Sequence, residues 1–380
     1  MPGEISKYIP IFGMLLILIT MPAFSGSAFG VASIASDKAS DNAALKASPF
    51  QPRIIEYGDL IAIAVPMYTT VDDPLNHEVL SGGQFDGVGI IQFTRSDFPG
   101  FNFICSGSLL TTGMHVLTAA HCITDNSGNF VLVSGTVTFE GDSATEIITV
   151  DVANSAAHPN YDGDFIRGND VAVLKLDSAA SSDITRYDID RIARDDVGTT
   201  PDKTGYGQSG FGATGADPST YPAGTKRTGQ NLYDDVADTL LKALDLKPGR
   251  DFVKGGTLMY DFDNGNSAND AFGFFFGKSD LGLDDAEVTS APGDSGGPSQ
   301  NNLVITGITS YGITVSFTDG TTSDVTPDVV DSSFGEFSGD SRVSKYTKFI
   351  DGITGVSDDG DTDPDPKDKC NPGKQKKDLC

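Results

Sequence analysis

A hydroxyl set among glycines stands near the C-terminal end of the chain, in Ala291-Pro292-Gly293-Asp294-Ser295-Gly296-Gly297-Pro298. The glycines let the backbone curl around Ser295, so that consecutive N–H groups can point at one spot. A serine hydroxyl is a weak nucleophile until a base takes its proton and donors hold the charge that develops on the attacked carbonyl. The chemistry on offer is acyl transfer, and the base must come from elsewhere. There are four histidines, His77, His115, His121 and His158, and all precede Ser295. Gly293-Asp294-Ser295-Gly296-Gly297 also fits the G-x-S-x-G elbow of α/β-hydrolases, but those enzymes place their histidine after the serine. The order of residues excludes that reading.

His121 ends the run Val116-Leu117-Thr118-Ala119-Ala120-His121-Cys122, where small residues let an imidazole stand at a strand end without crowding. Asp170 opens Asp170-Val171-Ala172-Val173-Leu174-Lys175-Leu176, a β-branched apolar run that reads as a strand. A carboxylate beside such a run is placed for partial burial, where it can fix the tautomer and direction of the imidazole.

With those three contexts in hand, the chain resembles the chymotrypsin-like (trypsin-like) secreted serine proteases. TAAHC around His121, NDVAVLKL around Asp170 and APGDSGGP around Ser295 follow one another in that family's order. Weaker matches are His158-Pro159-Asn160-Tyr161, Thr204-Gly205-Tyr206-Gly207 and Gly307-Ile308-Thr309-Ser310-Tyr311-Gly312. The likeness runs from about Gly87 to Ile353. It implies an all-β fold of two packed six-stranded antiparallel barrels, with catalytic residues His121, Asp170 and Ser295. It also implies an oxyanion hole from the N–H groups of Gly293 and Ser295, and a disulfide between Cys105 and Cys122. Such a bridge closes a loop of about 17 residues, worth roughly 3 kcal/mol in a chain-entropy account. The substrate pocket would be lined by Thr289, Ser290, Ser310 and Gly312, with Ser338 on the far wall. An uncharged Thr289 at the floor predicts a preference for uncharged side chains before the cut; Glu336, were it to enter, would reverse it. Asp294 is the expected partner of a new N-terminus, and Arg53-Ile54-Ile55 resembles the activation cut that would create one, though Glu56-Tyr57-Gly58 departs from the family's pattern. The implied function is a serine endopeptidase; a catalytically silent binding module and an esterase are the alternatives.

The elements that must position these residues are short alternating strands at Gly87–Phe93, Phe103–Leu110, Met114–Thr118, Val131–Phe139, Glu146–Val152 and Val171–Leu176, separated by Gly- and Asp-rich turns. Asp234 to Leu246 alone carries helical spacing, within an insertion spanning Gly229 to Gly282. Domain organisation reads as a signal peptide over 1–28, a pro-segment or linker over 29–53, the protease domain over 54–355, and an acidic disordered tail over 356–380 with Cys370 and Cys380 as a pair. The apolar run Tyr8 to Thr20 is too short to span a bilayer comfortably. Secretion to an extracellular or periplasmic space is expected, with no membrane contact after processing. The 380 residues carry 53 acidic against 26 basic side chains, a formal charge of −27, which argues against nucleic acid as a partner. A peptide or protein substrate and a monomeric state are expected. Asp261-Phe262-Asp263-Asn264-Gly265-Asn266 looks like a calcium loop. It fails the EF-hand template, because its glycine comes one position early and the last ligand position falls on Phe272. An Asx-rich turn is the expectation there, and no metal or cofactor is assigned.

Overall fold

The computed structural model describes residues 45–46, 53–57, 60–65, 69–192, 196–245, 252–327 and 329–356. The signal segment, most of the pro-segment and the tail with Cys370 and Cys380 lie outside the described residues. Six strands form a closed antiparallel barrel: Val88–Arg95, Asn102–Leu109, His115–Thr118, Leu132–Glu140, Thr145–Ala157 and Ala172–Leu176. Closure comes where Ser108 pairs with Leu117 and Leu109 with Val116. Alternation decides which faces turn inward. Ile91, Phe93, Leu109, Val116, Val137, Phe139, Val150 and Leu174 are all buried, and full burial of a side chain of this kind contributes about 1.5–3 kcal/mol.

The second sheet runs through Arg227–Gln230, Asp202–Gly205, Pro298–Asn301, Val304–Phe317, Phe337–Arg342, Thr257–Asp261 and Asp235–Val236 in that spatial order. Its first and last members belong to nearly one stretch of chain, since only residues 231–234 separate Gln230 from Asp235. A short connection therefore joins the two ends of this path, and the expected all-β architecture of two barrels fits.

The helical expectation for Asp234 to Leu246 holds in part. The helix is Asp238–Ala243, burying Leu240 and Leu241. Asp235 and Val236 are drawn into the sheet instead, where they pair with Met259 and Leu258. Two further helices, Ala271–Phe276 and Thr347–Thr354, carry no signal read from the sequence.

The N-terminal portion joins both sheets. Leu45–Lys46 lies parallel to Asn102–Phe103. Arg53–Tyr57 and Leu60–Val65 form an antiparallel hairpin, whose second strand pairs with the far half of Val304–Phe317, Gly312 opposite Val65 and Phe317 opposite Leu60. Gly307 and Ile308 pair on one side with Pro298–Asn301 and on the other with Phe337–Arg342. Gly312 and Ile313 also pair with Phe337–Arg342, so the hairpin takes the opposite edge, the one that Pro298–Asn301 leaves off.

Candidate active site

Strand pairing brings the imidazole and the carboxylate together. Ala172 pairs with Thr118, so the residues just beyond the paired ends, Asp170 and His121, converge. His121 sits on the short turn Ala120–Cys122, behind fully buried Ala119 and Ala120. The disulfide Cys105–Cys122 fastens that turn to the neighbouring strand. Arg95 donates to the His121 carbonyl at 3.2 Å and pairs with Asp97 at 2.7 Å. On the other side, Asn169 takes a left-handed φ of 64° and donates its N–H to Tyr346 Oη at 2.8 Å.

Asp170 is fully buried and holds His121 twice. Its Oδ1 accepts the His121 backbone N–H at 2.8 Å, and its Oδ2 lies 2.7 Å from Nδ1. Ser310 Oγ donates to the same Oδ2 at 2.5 Å, and Ser341 Oγ donates to the Asp170 carbonyl at 3.0 Å. With Nδ1 facing a carboxylate, the neutral ring carries its proton there, and Nε2 is left as the basic lone pair. The other histidines serve elsewhere. His77 lies between Asp72 Oδ1 and the Thr228 carbonyl, His115 against Thr112 Oγ1, and His158 edge-on to Tyr346 and Phe349.

Ser295 is buried, and its Oγ makes no hydrogen bond. Its carbonyl accepts the Ser106 N–H at 2.8 Å and lies 3.9 Å from Cys122 Sγ, the residue after His121. Ser106 does more. Its Oγ donates to the Gly293 carbonyl at 3.0 Å and accepts the Tyr206 N–H at 2.9 Å. Among the described residues no acceptor takes the N–H of Gly293 or of Ser295, which leaves two donors for an oxyanion. Ser106 was not among the residues picked out from the sequence, because a serine inside an apolar strand carries no local signal of a partner 187 positions away.

Gly296 shows why the motif needs its glycines. At φ 82°, a Cβ there would meet Thr118 Oγ1 at 2.0 Å and the Ser106 carbonyl at 2.5 Å, so the loop can press against the first barrel only without one. Asp294 is buried, with Oδ1 accepting from Gly207 N–H at 2.7 Å and Oδ2 from Ala291 N–H at 3.0 Å. Burial holds its carboxyl well above the ordinary range, against the pull of the Gly207 N–H and of Arg227 and Lys203. In the uncut chain Asp294 is thus served by backbone donors, while Arg53 and Ile54 pair with Ala64 and Ile63 in the hairpin.

The expected pocket residues cluster. Thr289 Oγ1 lies 2.8 Å from Ser338 Oγ, Ser290 Oγ lies 3.3 Å from it, and Ser338 pairs with Gly312. Ser332 Oγ donates to the Ser290 carbonyl at 2.6 Å. Glu336 does not join them. It is 1% exposed, and its Oε1 accepts the N–H groups of Asp331, Ser332 and Ser333. Burial, with Asp324 nearby, keeps its carboxyl well above the usual value. The glutamate therefore braces the loop behind the wall, and the hydroxyls of Thr289, Ser290 and Ser338 face one another without a charge.

Known proteins resemble parts of this chain. The family model described as Trypsin matches residues 81–254, a span that includes His121 and Asp170 and ends before Ser295. Brachyurin of Leptuca pugilator is 26% identical over 211 residues, covering 55% of this chain and 76% of that protein. A chymotrypsin-like serine proteinase of Haliotis rufescens is 35% identical over 100 residues, covering 26% of this chain and 38% of its own length. Among solved structures, HL collagenase shares 22% identity at a TM-score of 0.49, with 74% of this chain and 99% of that one covered. Neuropsin, a serine protease expressed in mouse brain, shares 19% at 0.48, with 73% and 97% covered. The family model and both of these relatives are trypsin-like serine proteases, and the chain is similar to them over those spans.

Proposed function

We propose that the chain is a secreted serine endopeptidase, made as a latent precursor, that prefers uncharged side chains before the scissile bond. The observation that carries the catalytic reading is the double hold of Asp170 on His121, on Nδ1 and on the backbone N–H, within one residue of a half-cystine that touches the Ser295 carbonyl. In this reading Ser295 Oγ attacks the substrate carbonyl and gives its proton to His121 Nε2. The Gly293 and Ser295 N–H groups hold the negative oxygen. The imidazolium, steadied by Asp170, then returns the proton to the leaving amine, and an acyl-serine remains. Water attacks that ester by the same route and frees the acid.

Latency is argued from the hairpin. The resemblance gives the segment Gly307–Gly312 to the substrate, and Leu60–Val65 pairs along the same strand from Gly312 to Phe317, meeting that segment at Gly312. A cut at Arg53 would leave Ile54–Val65 joined to the rest of the chain; processing between Val65 and Thr69 would free the edge. A chain trimmed to begin at Thr69 should label with a fluorophosphonate and should exceed the full-length chain in kcat/KM by at least about tenfold, the factor for a competent form present at one part in ten. Absence of labelling in the trimmed chain would sink the catalytic reading, whereas equal rates in the two chains would sink only the latency.

Specificity is read from a peptide library. Cleavage should concentrate after apolar and neutral residues, because three facing hydroxyls offer neither a counter-ion nor relief for a buried charge. Predominant cleavage after Arg or Lys would contradict this.

A further inference from the structure

A knot of carboxylates lies behind the pocket floor and takes no part in the chemistry above. Asp261 ends the Thr257–Asp261 strand, Asp263 follows two residues later, and Asp270 precedes the Ala271–Phe276 helix. One carboxylate oxygen from each lies within 4.8 Å of the others, and all three residues are buried. Glu287, 1% exposed, reaches the same place from the far end of the loop. Its Oε1 accepts the Asp263 N–H at 2.7 Å and its Oε2 the Leu283 N–H at 2.6 Å. Among the described residues, none of these four acids forms an ion pair.

The decisive atom is Asp263 Oδ1. Asp263 is 3% exposed, yet that oxygen has no hydrogen-bond partner. A buried carboxylate with nothing to hold it is strongly unfavourable. Asp270 spends its oxygens on the Gly273 N–H and on Ser279 Oγ, and Asp261 accepts the Phe272 N–H at 2.7 Å. Asp263 Oδ1 has no such outlet, and one oxygen of Asp263 lies within 4.8 Å of those of Asp261 and Asp270.

We propose that Asp261, Asp263 and Asp270, backed by Glu287, form a calcium-type cation site that clasps the 262–287 loop to the pocket floor at Val288–Thr289. The donors are all hard oxygens, with no imidazole or thiolate to favour zinc. Calcium accepts such irregular carboxylate sets at about 2.3–2.6 Å, where magnesium demands a near-ideal octahedron at about 2.0–2.1 Å. Burial, and then repulsion from neighbouring acids including Asp261, push the carboxyls of Asp263, Asp234 and Glu287 above the ordinary range. A bound ion relieves both terms. The competing account is a cluster held neutral by its own protons, and it predicts indifference to calcium.

The test uses the full chain freed of metal by chelation and exchanged into metal-free buffer. Calcium chloride at about 100 times the dissociation constant should raise the melting temperature by about 5 °C, and equilibrium dialysis should retain one ion per chain with magnesium in excess. Asp263→Asn, which keeps the side chain's shape, should abolish the thermal shift. Asp285→Asn, on the exposed surface of the same loop, should leave it intact and so controls for loose attraction to a chain of charge −27. Should Asp263→Asn fail to fold, the dialysis of the unsubstituted chain still decides. No retained ion and no shift overturn the proposal, as does a full shift surviving in Asp263→Asn.

Discussion

Ser295→Ala is expected to leave the melting temperature unchanged within about 1 °C while kcat on a peptide ester falls by about 10⁶-fold. The fold should tolerate the change because Ser295 Oγ makes no hydrogen bond, and the contacts that hold the residue run through its carbonyl to Ser106 and Cys122. The rate should collapse because the proposed mechanism has the Ser295 hydroxyl as its nucleophile. His121→Ala should cost nearly as much, and the double variant little more than either single one, since the two groups act in one proton transfer. Losses that multiply would show that they act separately. The comparison is best made on the trimmed chain, in which the Leu60–Val65 strand cannot mask turnover.

The second large effect is expected at Asp170. Asp170→Asn should lower kcat by about 10⁴-fold, because an amide presents N–H or carbonyl where Nδ1 needs a full carboxylate, and the ring is no longer driven into the tautomer that leaves Nε2 basic. Here the substitution has a second consequence. Asp170 also accepts the His121 backbone N–H on Oδ1 and the Ser310 hydroxyl on Oδ2, so a single amide oxygen cannot keep all three donors. A fall in melting temperature should accompany the lost rate, unlike the case of Ser295→Ala. A variant with full activity would remove the carboxylate from the mechanism.

Much of this site could be read from the chain because its members announce themselves locally. Small residues before His121, a β-branched run after Asp170 and glycines around Ser295 are each the mark of a backbone constraint, and the structure supplies the constraint in every case. The six strands of the first barrel were likewise visible, since alternation is a property of a few consecutive residues. What stayed hidden depends on distant partners. The run Ile54 to Val65 is apolar enough for a strand pair, yet nothing in it names Gly312–Phe317 as the edge it takes. The segment Asp261 to Asn266 failed the calcium-loop template at its glycine and at Phe272, and nothing local announced that Asp270 would join Asp261 and Asp263 or that Glu287, 24 positions beyond Asp263, would meet it. Val236 had helical spacing and went into the sheet, because Leu258 offered it a backbone partner.

Ser106 belongs to the first barrel, while the loop it grips belongs to the second. Through one side chain and one N–H it holds the carbonyls of Gly293 and Ser295 and the N–H of Tyr206. The seam between the barrels therefore also sets the two N–H groups that the proposed mechanism would use for the oxyanion. Any breathing motion that parts the two halves by a fraction of an ångström is felt first at those two N–H groups, before either barrel loses a strand. Catalytic competence is in this sense a measure of how well the halves are docked, and each half can be intact while the pair is idle.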